Sequence, residues 1–138
     1  MTPKRVVLVV EDDPSLQHTV VEHLRVTGFD ARGASNYDSA VKALQMFQPT
    51  VVCVDLGLPS ESGYELCEFI RKEPKLVSVP ILVMSERSYP EDMAHAEEAG
   101  ANAFLKKPFT MQELSKYLGA LLDRRYASRP SVRRLRVD

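Results

Sequence analysis

The run Thr50-Val-Val-Cys-Val-Asp55 is β-branched and apolar until it stops on a carboxylate. A short run without polar alternation predicts a strand buried on both faces, as in a parallel sheet covered by helices. Asp55 then lies where that strand runs out. Three other segments repeat the pattern. Val6-Val-Leu-Val-Val10 runs into Glu11-Asp12-Asp13, Pro80-Ile-Leu-Val-Met-Ser85 ends on a hydroxyl, and Ala103-Phe-Leu-Lys-Lys107 ends on a lysine. Parallel strands would bring these ends to one edge of one sheet, where open α/β folds place their sites.

Between the strands lie segments with helical spacing. Leu16, Val20 and Leu24 recur on one helix face, and Gly28 supplies a left-handed stop. Ala40, Leu44 and Phe47 mark a second helix closed by Pro49. Ser62-Gly-Tyr-Glu65 reads as a capping box opening a third, with Leu66 and Ile70 inward. A fourth is predicted from Pro90 to Ala99 with Gly100 as its C-cap. Thr110-Met-Gln-Glu113 caps a fifth that buries Leu114, Leu118 and Leu121. Predicted strands cover 6–10, 30–34 (weakly), 51–54, 81–84 and 103–105. Five strands alternating with five helices give right-handed crossovers and a doubly wound parallel sheet, for which we expect the order 2-1-3-4-5. In that order the crevice opens between the first and third strands, beside Asp12 and Asp55.

The chain has 138 residues, enough for one domain with a hydrophobic core of its own. Its apolar and charged fractions, 44% and 27%, are those of an ordinary soluble domain. No run is long enough to span a bilayer and the N-terminal segment has no cleavage pattern, so a cytoplasmic location without membrane attachment is expected. Cys53 and Cys67 have neither metal-ligand nor redox spacing and read as small buried apolar residues. His18, His23 and His95 fall on predicted helices without metal-binding partners, and no role is assigned to them. Charge is uneven. Residues 1–123 hold 12 basic and 18 acidic side chains, whereas 124–138 hold six arginines and one acid. We therefore expect a domain over 1–123 and a basic tail or linker over 124–138.

The converging groups suggest phosphoryl chemistry. Clustered carboxylates repel one another unless a cation neutralises them, and a hard dication with oxygen ligands suits them. Asp55 can then act as a carboxylate nucleophile toward an activated phosphoryl donor. The Lys107 ammonium and the Ser85 hydroxyl would hold the transferring oxygens. Gly57 would offer the metal a backbone carbonyl. Taken singly, each group has a plainer reading: Asp13 before Pro14 as a helix N-cap, Ser85 as a capping hydroxyl, Lys107 as a solvated charge.

These residues together resemble the receiver domain of two-component response regulators. The resemblance covers about Arg5 to Asp123. It rests on Glu11-Asp12-Asp13, Asp55-Leu-Gly-Leu-Pro59 with Gly63, the run into Ser85, and Gly100-Ala with Phe104-Leu-Lys-Lys107-Pro108-Phe109. It implies a flavodoxin-like fold and a Mg²⁺ site (Mn²⁺ as substitute) formed by Glu11, Asp12, Asp55 and the Gly57 carbonyl. It further implies Asp55 as phosphoacceptor, and Ser85, Lys107 and Phe104 as the groups that respond to phosphorylation. The implied partners are a histidine kinase or phosphotransfer protein, a downstream protein or tethered output domain, and a second copy in a phosphorylation-dependent homodimer. The responding surface would be that of the fourth helix, fifth strand and fifth helix.

Two positions depart from the family pattern. Glu86 follows the hydroxyl where a small residue is usual, and it would restrict access to the phosphoryl group. Phe104 replaces Tyr at the switch position, so it lacks a hydroxyl. Two other readings compete with the switch. One is a docking module that works without phosphate. The other is a Mg²⁺-dependent aspartyl phosphohydrolase, disfavoured because Gly57 stands where such an enzyme needs a second acid. The domain is thus expected to be no enzyme beyond self-phosphorylation from small donors and autodephosphorylation. Direct nucleic-acid binding is disfavoured, since the tail has one aromatic, Tyr126, and no DNA-reading motif.

Overall fold

The computed structural model describes residues 4–123. The basic tail expected over 124–138 lies outside the described residues. The elements follow the expected alternation: β1 (Val6–Val10), α1 (Pro14–Val26), β2 (Asp30–Ala34), α2 (Tyr37–Met46), β3 (Val51–Asp55), α3 (Ser62–Lys72), β4 (Ile81–Ser85), α4 (Pro90–Ala99), β5 (Ala103–Lys106) and α5 (Met111–Leu122). The strands form one sheet in the order β2-β1-β3-β4-β5, every pair parallel. Strands β3, β4 and β5 each run one residue further than their apolar stretches predict, so Asp55, Ser85 and Lys106 close the ladder.

Strand alternation sorts the apolar residues onto two faces. Val7, Val9, Val51, Cys53, Leu82 and Leu105 meet Val20 and Leu24 of α1 and Leu114 and Leu118 of α5. Leu8, Val10, Val52, Val54, Ile81 and Val83 meet α2, α3 and α4 through Leu44, Leu66, Ile70 and Ala96. The central strands are buried on both faces, which is why they read as continuous apolar runs. The edge strand β2 keeps only Ala31 and Ala34 buried.

Helix ends follow local chemistry. Asp13 Oδ1 accepts from the Ser15 amide at 3.0 Å and caps α1, with Pro14 in the first turn. Thr110 and Glu113 form the expected capping box, their reciprocal bonds 3.0 and 2.8 Å long. Gly28 and Gly100 take positive φ after α1 and α4. The capping box expected at Ser62–Glu65 does not form. A 3-10 turn over Pro59–Glu61 feeds α3, and Ser60 and Glu61 both adopt left-handed backbone there. Ser62 is already inside the helix, so its side chain cannot cap it. Packing against the end of β3, not a local cap, sets where α3 starts.

Candidate functional site

The parallel register brings the strand ends level. Val10 pairs with Val54, Asp55 with Met84, and Ser85 with Lys106. Glu11, Asp55 and Ser85 are buried where they leave the sheet, while Asp12 faces solvent. One carboxylate oxygen from each of Glu11, Asp12 and Asp55 falls within 4.8 Å of the others. Three hard oxygen donors at that spacing, one of them open to water, suit a small dication that keeps part of its hydration shell. The β1–α1 loop that carries two of them is pinned by Gln17, whose Nε2 donates to the carbonyls of Glu11 (2.8 Å) and Ala34 (3.2 Å).

Lys107 already supplies a positive charge at this centre. Its Nζ donates to Glu11 Oε1 at 2.7 Å and lies 3.3 Å from Asp55 Oδ1. The second oxygen of Glu11 accepts from the Asp13 amide at 3.1 Å. Burial raises the Glu11 carboxyl to about 7, although the Lys107 and Asp13 hydrogen bonds pull the other way. Burial opposes the Lys107 charge too, but the bond to Glu11 and the field of Asp55 outweigh it, and the lysine pKa rises. Asp55 Oδ1 also accepts from the Gly57 amide at 2.8 Å. Gly57 therefore approaches the carboxylate through its N–H.

Ser85 points its oxygen back at its own loop: Oγ accepts from the Arg87 amide at 3.0 Å, which leaves the hydroxyl proton free to be donated elsewhere. Glu86 is exposed and lines the mouth of the site. Phe104 is not brought to the site. It is buried in the core layer with Val83, Leu56, Ala96 and Ala101, so the aromatic is already inward.

All the polar candidates line one open depression of about 770 Å³. Its walls include residues that the sequence pattern did not single out: Glu61, Tyr64, Arg87, Asp92 and His95. Arg87 Nε pairs with Asp92 Oδ1 at 3.5 Å, and Asp92 Oδ2 accepts from the Tyr89 amide at the start of α4. His95, assigned nothing from sequence, stacks on Tyr64 with ring centroids 3.7 Å apart and planes 8° from parallel. The one available signal was Asp92 three residues after Tyr89 with Pro90 between, a helix-start pattern that anchors the β4–α4 loop. The cysteines are buried as expected, and burial pushes both thiols up to about 12.

Comparison with known proteins identifies the family and the fold. The family model for the response regulator receiver domain matches residues 7–119. The sensory transduction protein BceR of Bacillus subtilis is 32% identical over 127 residues, covering 91% of this chain and 54% of the relative. The phosphate regulon transcriptional regulatory protein PhoB of Escherichia coli is 32% identical over 120 residues, covering 87% of this chain and 52% of PhoB. The chain thus spans about half the length of these curated relatives. Among solved structures, the chemotaxis protein CheY4 of Vibrio cholerae superposes with a TM-score of 0.84 at 27% identity, covering 87% of this chain and all of that one. A response regulator from Chloroflexus aurantiacus gives 0.81 at 30% identity, covering 87% of this chain and 98% of that one.

Proposed function

The chain belongs to the response regulator receiver family of two-component signalling, and from that premise we propose that it is a phosphoacceptor switch whose acceptor is Asp55. The observation that carries this is the placement of one buried carboxylate, Asp55, within 4.8 Å of Glu11 and Asp12 and 3.3 Å from the Lys107 ammonium. An oxygen of Asp55 attacks the phosphorus of a histidine kinase's phosphohistidine. The P–N bond breaks, a P–O bond to Asp55 forms, and the electron pair stays on the imidazole. Glu11, Asp12 and Asp55 would hold Mg²⁺ (or Mn²⁺), together with the Gly57 carbonyl. When bound, the ion offsets charge on the phosphoryl oxygens. Lys107 is near enough to exchange its carboxylate contacts for a phosphoryl oxygen, and Ser85 has a hydroxyl proton to donate.

The new charge would draw Ser85 and Lys107 toward Asp55 and alter the α4–β5–α5 surface read by a downstream protein, a tethered output domain or a second copy. Phe104, already buried, would hold that surface in its packed form. Among the described residues no helix is long and apolar enough to cross a membrane; a cytoplasmic setting is part of the proposed reading. We place the receiver unit at 1–123, with 124–138 as a connection or tail. Glu86 at the mouth favours one second reading, a docking module that works without phosphate.

Incubation with acetyl phosphate and Mg²⁺, followed by intact-mass measurement, separates the two. The switch reading expects one phosphate per chain, absent in Asp55→Asn. No adduct in the wild-type protein, or a stoichiometric adduct that persists in Asp55→Asn, would overturn it.

A further inference from the structure

Arg87 is tied to the site at one end and to α4 at the other. Its amide donates to Ser85 Oγ, while its guanidinium pairs at 3.5 Å with Asp92. The two partners differ in environment. The Arg87 side chain is 77% exposed, whereas that of Asp92 is 12% exposed and fixed by the Tyr89 amide. At 3.5 Å, and with one member in water, the pair is a weak contact that is readily exchanged. Arg87 and Lys107 are the two side chains with fixed positive charge lining the depression, against acids contributed by five different segments. Lys107 is occupied by Glu11 and Asp55; Arg87 has no partner at the centre of the site.

We propose that Arg87 is a second phosphoryl-binding cation and that its transfer from Asp92 to the phosphoryl group couples the site to the start of α4. This rests on the phosphoacceptor reading of Asp55. A phosphorylated Asp55 offers oxygens with more charge than a single carboxylate, and a guanidinium can grip two of them at once. The move leaves Asp92 with the Tyr89 amide and without its cation. The first turn of α4, held by Asp92, then loosens. Coupling of this kind needs only that Arg87 bind one partner or the other, with no large displacement of the fold.

Beryllofluoride with Mg²⁺, a tetrahedral phosphoryl mimic, provides the probe. Its binding is measured by calorimetry, and hydrogen exchange is followed in the 89–93 segment. Arg87→Ala is expected to weaken beryllofluoride binding by about ten-fold and to abolish the ligand-induced rise in exchange. Asp92→Asn keeps an acceptor for the Tyr89 amide but releases the arginine. It is expected to tighten binding and to raise exchange before ligand is added, and the tightening should vanish in the double variant. Beryllofluoride bound equally by wild type and Arg87→Ala, with the same exchange response, overturns the arginine's role while leaving the Asp55 reading intact. A wild-type protein that binds no beryllofluoride and gains no phosphate overturns both.

Discussion

Gly63 lies directly beneath the end of β3: a Cβ placed on it would stand 2.5 Å from the carbonyl oxygen of Asp55 and 2.9 Å from Leu56 Cα. Both are backbone atoms, which cannot swing aside. Gly63→Ala must therefore lift the first turn of α3 away from the Asp55–Leu56 backbone. The cost should be that of a tight steric insertion, about 1–3 kcal/mol, read from urea denaturation. Any phosphorylation of Asp55 should slow as well, because the carboxylate rides on the displaced segment. Unchanged stability would mean that α3 packs less closely on β3 than the geometry requires.

The contact between Lys107 and Glu11 gives opposite predictions for two charge changes. Asp12→Ala removes the exposed carboxylate of the proposed metal site and should weaken Mg²⁺ binding by about ten-fold. Lys107→Met removes the ammonium that lies on Glu11 and Asp55, so it should tighten Mg²⁺ binding while weakening phosphoryl retention. Calorimetric titration with MgCl₂ checks both. Wild-type affinity in Asp12→Ala would remove Asp12 from the metal site.

How much of this was legible follows from where each signal resides. Val6–Val10, Val51–Val54 and Ile81–Met84 announced themselves because both faces of each strand are buried. Asp30–Ala34 was weak because an edge strand with two buried alanines has little to show. The convergence of Glu11, Asp12, Asp55, Ser85 and Lys107 was readable because a strand fixes where its last residue goes. Arg87, Tyr64 and His95 were not, and Asp92 could be read only as part of a helix start. Their meeting depends on how the β4–α4 loop and α3 are placed in space, which no spacing encodes. Ser62–Glu65 was misread because the motif is local, whereas the helix start is set by Gly63 against Asp55.

Cys53 and Cys67 should resist alkylation in the folded protein. Burial holds both thiols neutral up to about 12, while an unfolded thiol ionises near about 8.5. Below the unfolded value neither state is ionised and stability is unaffected. As pH rises between the two values, only the unfolded state releases its proton, so the folded state loses stability. Iodoacetamide labelling followed by mass should show two slow thiols that become fast together in denaturant. Rapid native labelling of either one would place it nearer the surface than the fold allows.

Glu86 should slow anionic small donors through charge. Its side chain is exposed at the mouth of the depression. It should repel an approaching anion across less than a Debye length, about 8 Å at physiological salt. Glu86→Ala should then accelerate adduct formation from acetyl phosphate, and the gain should shrink as NaCl is added. A rate equal to that of wild type at low salt would show that the carboxylate has no bearing on donor entry.

Asn102 is the buried acceptor on which the far end of the sheet depends. Its Oδ1 takes the Ile81 amide at 2.7 Å and Arg71 Nη2 at 2.8 Å. Arg71 also donates to the Gly100 carbonyl at 3.0 Å and the Val79 carbonyl at 2.7 Å, fastening α3, the entry to β4 and the α4–β5 loop together. Burial lowers the Arg71 pKa, yet the guanidinium has no lower-energy neutral alternative, so its bonds must be satisfied. Asn102→Ala leaves the buried Ile81 N–H without an acceptor. The expected loss is about 1–3 kcal/mol in chemical denaturation. Asn102→Asp keeps the acceptor and adds a charge toward Arg71, so it should recover most of that loss at neutral pH. The recovery should fade on acidification, as the carboxylate protonates and its charge is lost. If Asn102→Asp is as unstable as Asn102→Ala at neutral pH, the Oδ1 acceptor is not what holds this end of the fold.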